Sequence, residues 1–274
     1  MPQIRQPAVA GQFYPASPQA LRKQIELFSE KKKAAKTQRG VIGCLLPHAG
    51  YIYSGAVAYS VLSQIKLKDN LVILGPNHTG MGEAFSIMAG GSWVTPLGEL
   101  NINTELAGRL LTRAASLRAD ELAHKFEHSI EVQLPLLQYF KNDFTFVPIV
   151  IASNALKDYQ QLGLQIASVI QELHLEKETL IVASSDMTHY EAEAAAKKKD
   201  AQAIEAMLEL DELKLWSRIN ELNITMCGYA PAIVLLSAAK ALGAKKGELI
   251  KYQTSGEVTG DNSSVVGYAG IIVS

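Results

Sequence analysis

Three histidines, His48, His78 and His189, each lie a few residues beyond a short apolar run that is typical of a buried strand. The three runs span residues 41–46, 71–74 and 180–183. Ligands bind at the carboxyl ends of the strands in open α/β sheets, so we expect these histidines to lie near one edge. For His48 and His78 a metal ligand, an acid or base, and a hydrogen-bonded core residue all stay open.

Cys227 is the candidate for a third donor. It precedes Gly228 at the predicted start of an apolar helix, where the positive end of the helix dipole favours a thiolate. The alternative is a small buried thiol that only fills space, which is also how we interpret Cys44 in its strand. Together with His48 and His78, Cys227 would offer two nitrogens and one sulfur with open positions, which iron, copper or zinc would accept.

Asp186 and His189 form the third chemical element, in Ser184-Ser185-Asp186 and the histidine three residues later. Asp186 could orient an imidazole, and His189 could act as a general acid or base near neutral pH. A serine nucleophile is disfavoured because no Gly-x-Ser-x-Gly elbow surrounds either serine. We therefore assign Asp186 and His189 to catalysis.

The string His124-Lys125-Phe126-Glu127-His128 matches the His-x-x-Glu-His pattern of inverted zinc peptidases. Peptidase chemistry needs both histidines on one helix face, but the helix signals here begin only at Ser129. We therefore interpret the string as a loop, with Glu127, His128 and Glu131 lining a cleft. His128 and Glu131, with Tyr51 at the end of residues 47–51, are assigned to substrate binding, and His124 receives no role.

The elements that must position these residues alternate along the chain. The strand at 41–46, a helix from about Ser54 and the strand at 71–74 make a βαβ unit, so the sheet is at least partly parallel. Ser17-Pro18 predicts a helix start, Asn103 and Ser129 are predicted N-caps, and Pro148 favours an edge strand or a bulge. Further helices are predicted over about 159–170, 191–208, 215–219 and 230–242, and closing strands over 249–253 and 265–273.

Length and composition suit one domain over residues 1–274, since 48% of the 274 residues are hydrophobic and 19% are charged. The net charge of -1 gives no reason to expect nucleic acid or an anionic membrane as a partner. We find neither a signal peptide nor an apolar run approaching the roughly 20 residues of a membrane span. Two cysteines fit a reducing compartment, so we expect a soluble, cytoplasmic protein. Lys31-Lys32-Lys33 with Lys36 is interpreted as a solvated connector.

Seven landmarks, in order along nearly the whole chain, resemble the Memo family. They are Ala10-Gly11-Gln12-Phe13-Tyr14, Pro47-His48-Ala49-Gly50-Tyr51, Gly75-Pro76-Asn77-His78, Glu127-His128-Ser129-Ile130-Glu131, Ser184-Ser185-Asp186 with His189, Cys227-Gly228, and Gly267-Tyr268-Ala269-Gly270. The resemblance implies a fold similar to LigB-type class III extradiol dioxygenases: α/β, a single-domain αβα sandwich around a mixed, largely parallel sheet. It also implies that His48, His78 and Cys227 bind the metal and that His189 is the neighbouring site histidine.

The resemblance does not imply ring cleavage. Extradiol dioxygenases hold ferrous iron with two histidines and a carboxylate, whereas an oxidisable thiolate would stand third here. Animal Memo proteins are linked with cell-motility signalling and with copper- or iron-dependent redox chemistry, so we expect one redox metal ion, iron or copper, with zinc possible. Prokaryotic, AmmeMemoRadiSam-type members imply an AMMECR-type protein and a radical SAM protein as partners. A non-catalytic module that binds a peptide or protein in the same cleft is the alternative.

Overall fold

The computed structural model describes residues 3–30, 38–152 and 155–274. The basic run with Lys31, Lys32, Lys33 and Lys36 lies outside the described residues. The strands are β1 (Ile4–Arg5), β2 (Gly43–Leu46), β3 (Asn70–Pro76), β4 (Phe85–Ile87), β5 (Ser92–Thr95), β6 (Gly98–Asn101), β7 (Arg118–Ala119), β8 (Thr145–Ile151), β9 (Thr179–Ser184), β10 (His189–Glu191), β11 (Gly247–Thr254) and β12 (Val265–Val273). The helices are α1 (Pro18–Glu30), α2 (Tyr51–Leu62), α3 (Thr104–Arg113), α4 (Gln133–Phe140), α5 (Leu156–Glu172), α6 (Glu193–Leu208), α7 (Glu212–Glu221), α8 (Tyr229–Ala241) and α9 (Gly256–Thr259).

The main sheet has a parallel centre in the order β2-β9-β3-β8. Antiparallel pairing adds β12 beside β2 and β4 beside β8, while β10 and β11 pair with β12 and β7 extends the sheet beyond β4. The central strands are apolar and buried because helices cover both faces. One group of helices comprises α1, α2 and α4, and a second comprises α5, α7 and α8. The expected αβα sandwich around a mixed sheet is confirmed.

A small second sheet, in the order β1-β5-β6, brings the start of the chain onto the body of the protein. Its first strand pairs in parallel with β5, through Ile4 with Ser92 and Arg5 with Trp93. The sequence analysis did not predict β5. The buried position of Arg5 follows from this pairing.

Several predicted element boundaries are confirmed. Helix α1 begins at Pro18, and Asn103 caps α3 by accepting a hydrogen bond from the backbone N–H of Leu106 at 2.9 Å. Helix α2 begins at Tyr51, three residues before the predicted start. The third apolar run, residues 180–183, lies in β9, which ends at Ser184, directly before Ser185 and Asp186.

Two predictions of local structure were wrong. Ser129 does not cap a helix, because α4 begins only at Gln133 and the Glu127 carboxylate instead accepts the N–H groups of Ile130 and Glu131. Pro148 lies in an interior strand, since β8 runs between β3 and β4. Strand β4 pairs only with residues 149–151, so the missing N–H of Pro148 falls outside that ladder.

In the part of the chain that the structure describes, no helix has both the length and the apolar character needed to cross a bilayer.

Candidate metal centre

The centre lies at the carboxyl ends of three adjacent parallel strands. His48 follows the end of β2 by two residues, His78 follows the end of β3 by two residues, and β9 between them ends in Ser184. The short turns leave each side chain beside the same sheet edge, as the strand pattern predicted.

His48, His78 and Cys227 place their ligand atoms within 4.8 Å of one another. Nε2 of His48 lies 3.3 Å from Sγ of Cys227, and the rings of His48 and His78 have centroids 5.2 Å apart. His48 is buried, Cys227 is half-buried and His78 is exposed. Two imidazole nitrogens and one sulfur this close together form a donor set that fits one transition-metal ion.

Cys227 is held by the turn that precedes α8. The N–H of Gly228 donates to Oγ of Ser185 at 2.9 Å, and the N–H of Asp186 points at the Cys227 sulfur from 3.3 Å. A Cβ at position 228 would lie 2.2 Å from the carbonyl oxygen of Ser184, so only glycine lets this turn approach the strand end.

The prediction of a helix-stabilised thiolate is corrected by the burial of the sulfur. Burial and then the charge of Asp186 raise the pKa of the Cys227 thiol well above its ordinary value. The metal-free protein therefore carries a neutral thiol, and a bound cation would have to displace its proton.

The site histidines are neutral at pH 7. Burial, followed by repulsion from His78, His128 and His189, lowers the pKa of His48 well below its ordinary value. Partial desolvation, followed by the charges of His128 and His189, lowers the pKa of His78 to about 4. Neutral imidazoles offer a lone pair to a metal without first losing a proton.

Asp186 and His189 both border the cleft above the three donors. Oδ1 of Asp186 accepts the backbone N–H of His48 at 2.8 Å, and burial raises the pKa of this carboxyl to about 6 although that hydrogen bond and the charge of His189 lower it. Nδ1 of His189 lies 2.9 Å from the carbonyl oxygen of Thr225 and must carry the proton there, because a carbonyl only accepts. In the neutral ring Nε2 of His189 then keeps its lone pair.

His128 lies in the cleft, as predicted. Its ring stacks on His78 with centroids 4.8 Å apart and an interplanar angle of 17°, and Phe13 packs on it at 4.9 Å. The cleft has a volume of about 390 Å³. Its lining also includes Phe13, Tyr53, Tyr190 and Tyr268. The sequence analysis gave none of these four a role in the site, although Phe13 and Tyr268 lie in motifs that carry the family resemblance.

Tyr51 and Glu131 lie behind the cleft and do not line it, so the geometry does not support their assignment to substrate binding. The Tyr51 hydroxyl donates to the carbonyl of Val132 at 2.9 Å. The Glu131 carboxylate binds Arg5 at 2.7 Å and accepts three further hydrogen bonds, from Ala8, Val9 and Tyr14. Both side chains are occupied within the protein and instead support the segment that carries Phe13.

Residues 124–128 form turns and irregular chain, which confirms the loop interpretation of the peptidase-like string. His124 is buried against Trp93, with ring centroids 5.9 Å apart, and faces the small sheet instead of the cleft. Glu127 is buried under Arg5 and does not line the cleft either. Only His128 of this string reaches the metal centre.

Comparison with known proteins matches nearly the whole chain to one family. A family model described as Memo-like protein matches residues 5–272. A MEMO1 family protein of Methanopyrus kandleri is 45% identical over 282 residues, covering 98% of each chain. MEMO1 family proteins of Methanocaldococcus jannaschii and Aquifex aeolicus are 44% and 42% identical, covering 100% and 98% of both chains respectively.

Proposed function

Because this chain belongs to the family of Memo-like proteins, we propose that it binds one redox metal ion at His48, His78 and Cys227 and acts as an oxidoreductase-like protein. The observation that carries the proposal is the convergence of three donor atoms within 4.8 Å of one another, two of them on histidines that line a cleft. Iron and copper suit two imidazoles and a thiolate, and zinc is the non-redox alternative.

The residues around the three donors have separate roles in this proposal. A bound iron or copper ion would supply the electron-transfer chemistry and a coordination position for substrate. Nε2 of His189 would accept or return a proton at the cleft wall, because Thr225 fixes the proton of this ring on Nδ1. Asp186 holds the backbone of His48 and is buried enough to exchange a proton near pH 6.

Metal content measured by elemental analysis on anaerobically purified protein tests the proposal. Near-stoichiometric iron or copper is expected in the wild type and is expected to vanish in His48→Ala. His128→Ala is the matched control, because His128 stacks on His78 but lies outside the donor set, so it is expected to keep its metal.

Each other outcome has a definite meaning. Zinc alone, lost in His48→Ala, would support a metal site and overturn the redox part of the proposal. No metal in any of the three folded proteins would overturn the whole proposal.

One observation favours a second function, the binding of a peptide or protein in the same cleft. Tyr190 is 79% exposed at the cleft mouth and has a positive φ of 59°, which is unusual for a bulky residue. Exposed aromatic side chains are enriched at protein interfaces. A proteome-derived peptide library that binds wild type and His48→Ala equally, and Tyr190→Ala weakly, would favour this function over metal chemistry.

The AMMECR-type and radical SAM proteins implied by the family resemblance stay proposed partners. Co-purification of the tagged protein with each candidate, and its loss on substitution of a cleft residue such as Tyr190, would test them.

A further inference from the structure

A buried serine lies behind His48 and touches it on the side away from the cleft. Oγ of Ser184 lies 2.8 Å from Nδ1 of His48, and Ser184 has no exposed surface. Two other groups contact the same oxygen: Nε2 of Gln133 at 2.8 Å and the carbonyl oxygen of Ser129 at 2.7 Å. The Ser184 hydroxyl therefore has three hydrogen-bond partners and a single proton to give.

The direction of two of these bonds is fixed by chemistry. The carbonyl of Ser129 can only accept, so it takes the one proton of Ser184. The amide nitrogen of Gln133 can only donate, and its orientation is set by a second bond to the carbonyl of Pro47 at 3.0 Å. A flipped amide would place two oxygens against each other at that distance.

The position of the Gln133 side chain uses the N–H groups of its amide and leaves the amide oxygen unused. Its Oε1 is buried and finds no hydrogen-bond partner among the described residues. An unpaired buried oxygen is costly, whereas both N–H groups of the same amide are used. The glutamine therefore supplies a hydrogen bond into Ser184 that no acceptor could replace.

With the Ser184 proton given to Ser129, His48 must donate to Ser184 from Nδ1. The ring then carries its proton on Nδ1 and keeps its lone pair on Nε2. Nε2 is the nitrogen that lies 3.3 Å from Sγ of Cys227, on the side of the three converging donors. In the opposite tautomer, Nδ1 and the Ser184 oxygen would face each other as two acceptors, and Nε2 would carry a proton on the side of Cys227.

We propose that Ser184 is a positioning residue that locks His48 in the Nδ1–H tautomer and so presents the Nε2 lone pair to the metal. This inference rests on the proposed metal site and adds how the protein fixes the protonation of His48, its most buried ligand. Ser129 and Gln133 set the direction of the hydrogen bond between Ser184 and His48, because together they leave the serine oxygen able only to accept from His48. Hydrogen bonds of this kind tune ligand orientation and basicity in metal sites generally.

Nuclear magnetic resonance of the metal-free protein tests the tautomer directly. Long-range ¹H–¹⁵N correlations of the imidazole rings show which nitrogen carries the proton, and His48→Gln assigns the signal by its loss. The wild type is expected to show a single Nδ1–H form for His48. In Ser184→Ala the Nδ1–H loses its acceptor, so a mixture of tautomers is expected.

The same variant is then titrated with the metal found in the wild type. Ser184→Ala is expected to bind it roughly 10- to 100-fold more weakly, and Ser184→Thr, which keeps the hydroxyl, is expected to recover most of this loss. Ser60→Ala is the matched control, because Ser60 is also buried but its hydroxyl bonds only to the carbonyl of Ala56 in its own helix. It is expected to leave both the tautomer and the affinity unchanged.

A proton on Nε2 of His48 in the wild type would overturn the proposal, and this measurement needs no variant to fold. Unchanged metal affinity in a folded Ser184→Ala would also overturn it. If the wild type shows the Nδ1–H form but binds neither iron, copper nor zinc, the proposed function fails while the tautomer assignment is supported, so the two failures are distinguishable.

Discussion

Two clusters that contain histidine side chains lie beside residues 127–131, and they differ in whether charged groups pair within the chain. The first, which we call the anchor, comprises Arg5, Trp93, His124, Glu127 and Glu131. Its guanidinium binds Glu131 at 2.7 Å, donates to the carbonyls of His124 and Glu127, and lies 3.9 Å above the Trp93 ring. The charged atoms of the anchor are thus paired within the chain.

The second cluster, the candidate metal centre, comprises His48, His78 and Cys227 and contains no such ion pair. The lone pair of His48 Nε2 and the sulfur of Cys227 point to a common region that His78 also reaches. No carboxylate belongs to this donor group, and the open cleft lies above it. The difference shows that a histidine alone does not identify a site: charged groups that pair within the chain build structure, and donor atoms that converge beside a cleft can hold a ligand.

The peptidase-like string connects the two clusters. His124 belongs to the anchor and His128 to the cleft, although only four residues separate them. The same segment therefore ties the N-terminal strand to the protein and presents one ring to the metal centre. Substitutions on either side can test whether the two roles are separable.

The largest effect on stability is expected from Glu131→Ala. The side chains of Arg5 and Glu131 are 5% and 1% exposed, so the substitution leaves a buried guanidinium without its carboxylate. We expect the free energy of unfolding to fall by about 3–5 kcal/mol, measured by urea denaturation. Glu248→Ala is the matched control, because it breaks an ion pair with Arg39 whose side chains are 40% and 43% exposed and is expected to cost less than about 1 kcal/mol. Equal losses in the two variants would mean that the ion pair of Arg5 with Glu131 gains nothing from its burial.

The largest effect in the metal centre is expected from Cys227→Ser. A serine hydroxyl is a poor substitute for a soft thiolate, so metal affinity should fall by more than the roughly 100-fold that marks the loss of a mere outer-shell partner. Stability of the metal-free protein should change little, because the thiol is neutral there. Cys44→Ala, in the buried strand β2, is the control that should keep its metal. Unchanged stoichiometry in Cys227→Ser would remove this residue from the donor set.

The metal centre was more predictable than the anchor for a physical reason. Parallel strands end at a common edge, so the apolar runs before His48 and His78 already placed both rings together. Cys227 entered through its helix-start position and the family resemblance. The anchor depends on Arg5 meeting Glu131 across 126 positions of sequence, and no local pattern reports such a pairing. Glu131 was accordingly assigned to the cleft.

The two wrong predictions of local structure, for Ser129 and Pro148, were both made from residue type alone. Ser129 has the residue type of an N-cap, but Glu127 accepts the free N–H groups of that turn and α4 starts at Gln133. Pro148 has the residue type of an edge strand, but the short length of β4 leaves room for it in the interior. Propensity was overruled by a near neighbour in sequence, Glu127, in the first place and by the distant strand β4 in the second.

A pH-dependent effect is expected from His124 in the anchor. Burial and then the charge of Arg5 lower the pKa of His124 from 6.5 to about 3, so between these values the unfolded chain binds the extra proton. The contribution of His124 to the free energy of unfolding is fully present above pH 6.5. It is lost as the pH falls, by about 2 kcal/mol at pH 5 from this group alone. Between pH 7.5 and pH 5, we expect the free energy of unfolding of His124→Leu to fall by about 2 kcal/mol less than that of the wild type. The contributions of the cleft histidines are common to both proteins and cancel in this comparison. Identical pH dependence would mean that His124 is not buried as a neutral ring.

The smallest effect on metal binding is expected from His189→Ala, which tests whether the proposed catalytic histidine is separate from the donor set. His189 borders the cleft but is not among the three converging donors, and its ring is held by Thr225 through Nδ1 and not through a metal ligand. Metal affinity should therefore change by less than the roughly 10-fold that marks the weakest outer-shell partners. Titration of metal-free wild type, His189→Ala and His78→Ala side by side gives the comparison, with loss of binding expected only in the last. Weak binding in both variants would make His189 a fourth ligand, and the centre would then resemble a closed structural site more than an open catalytic one.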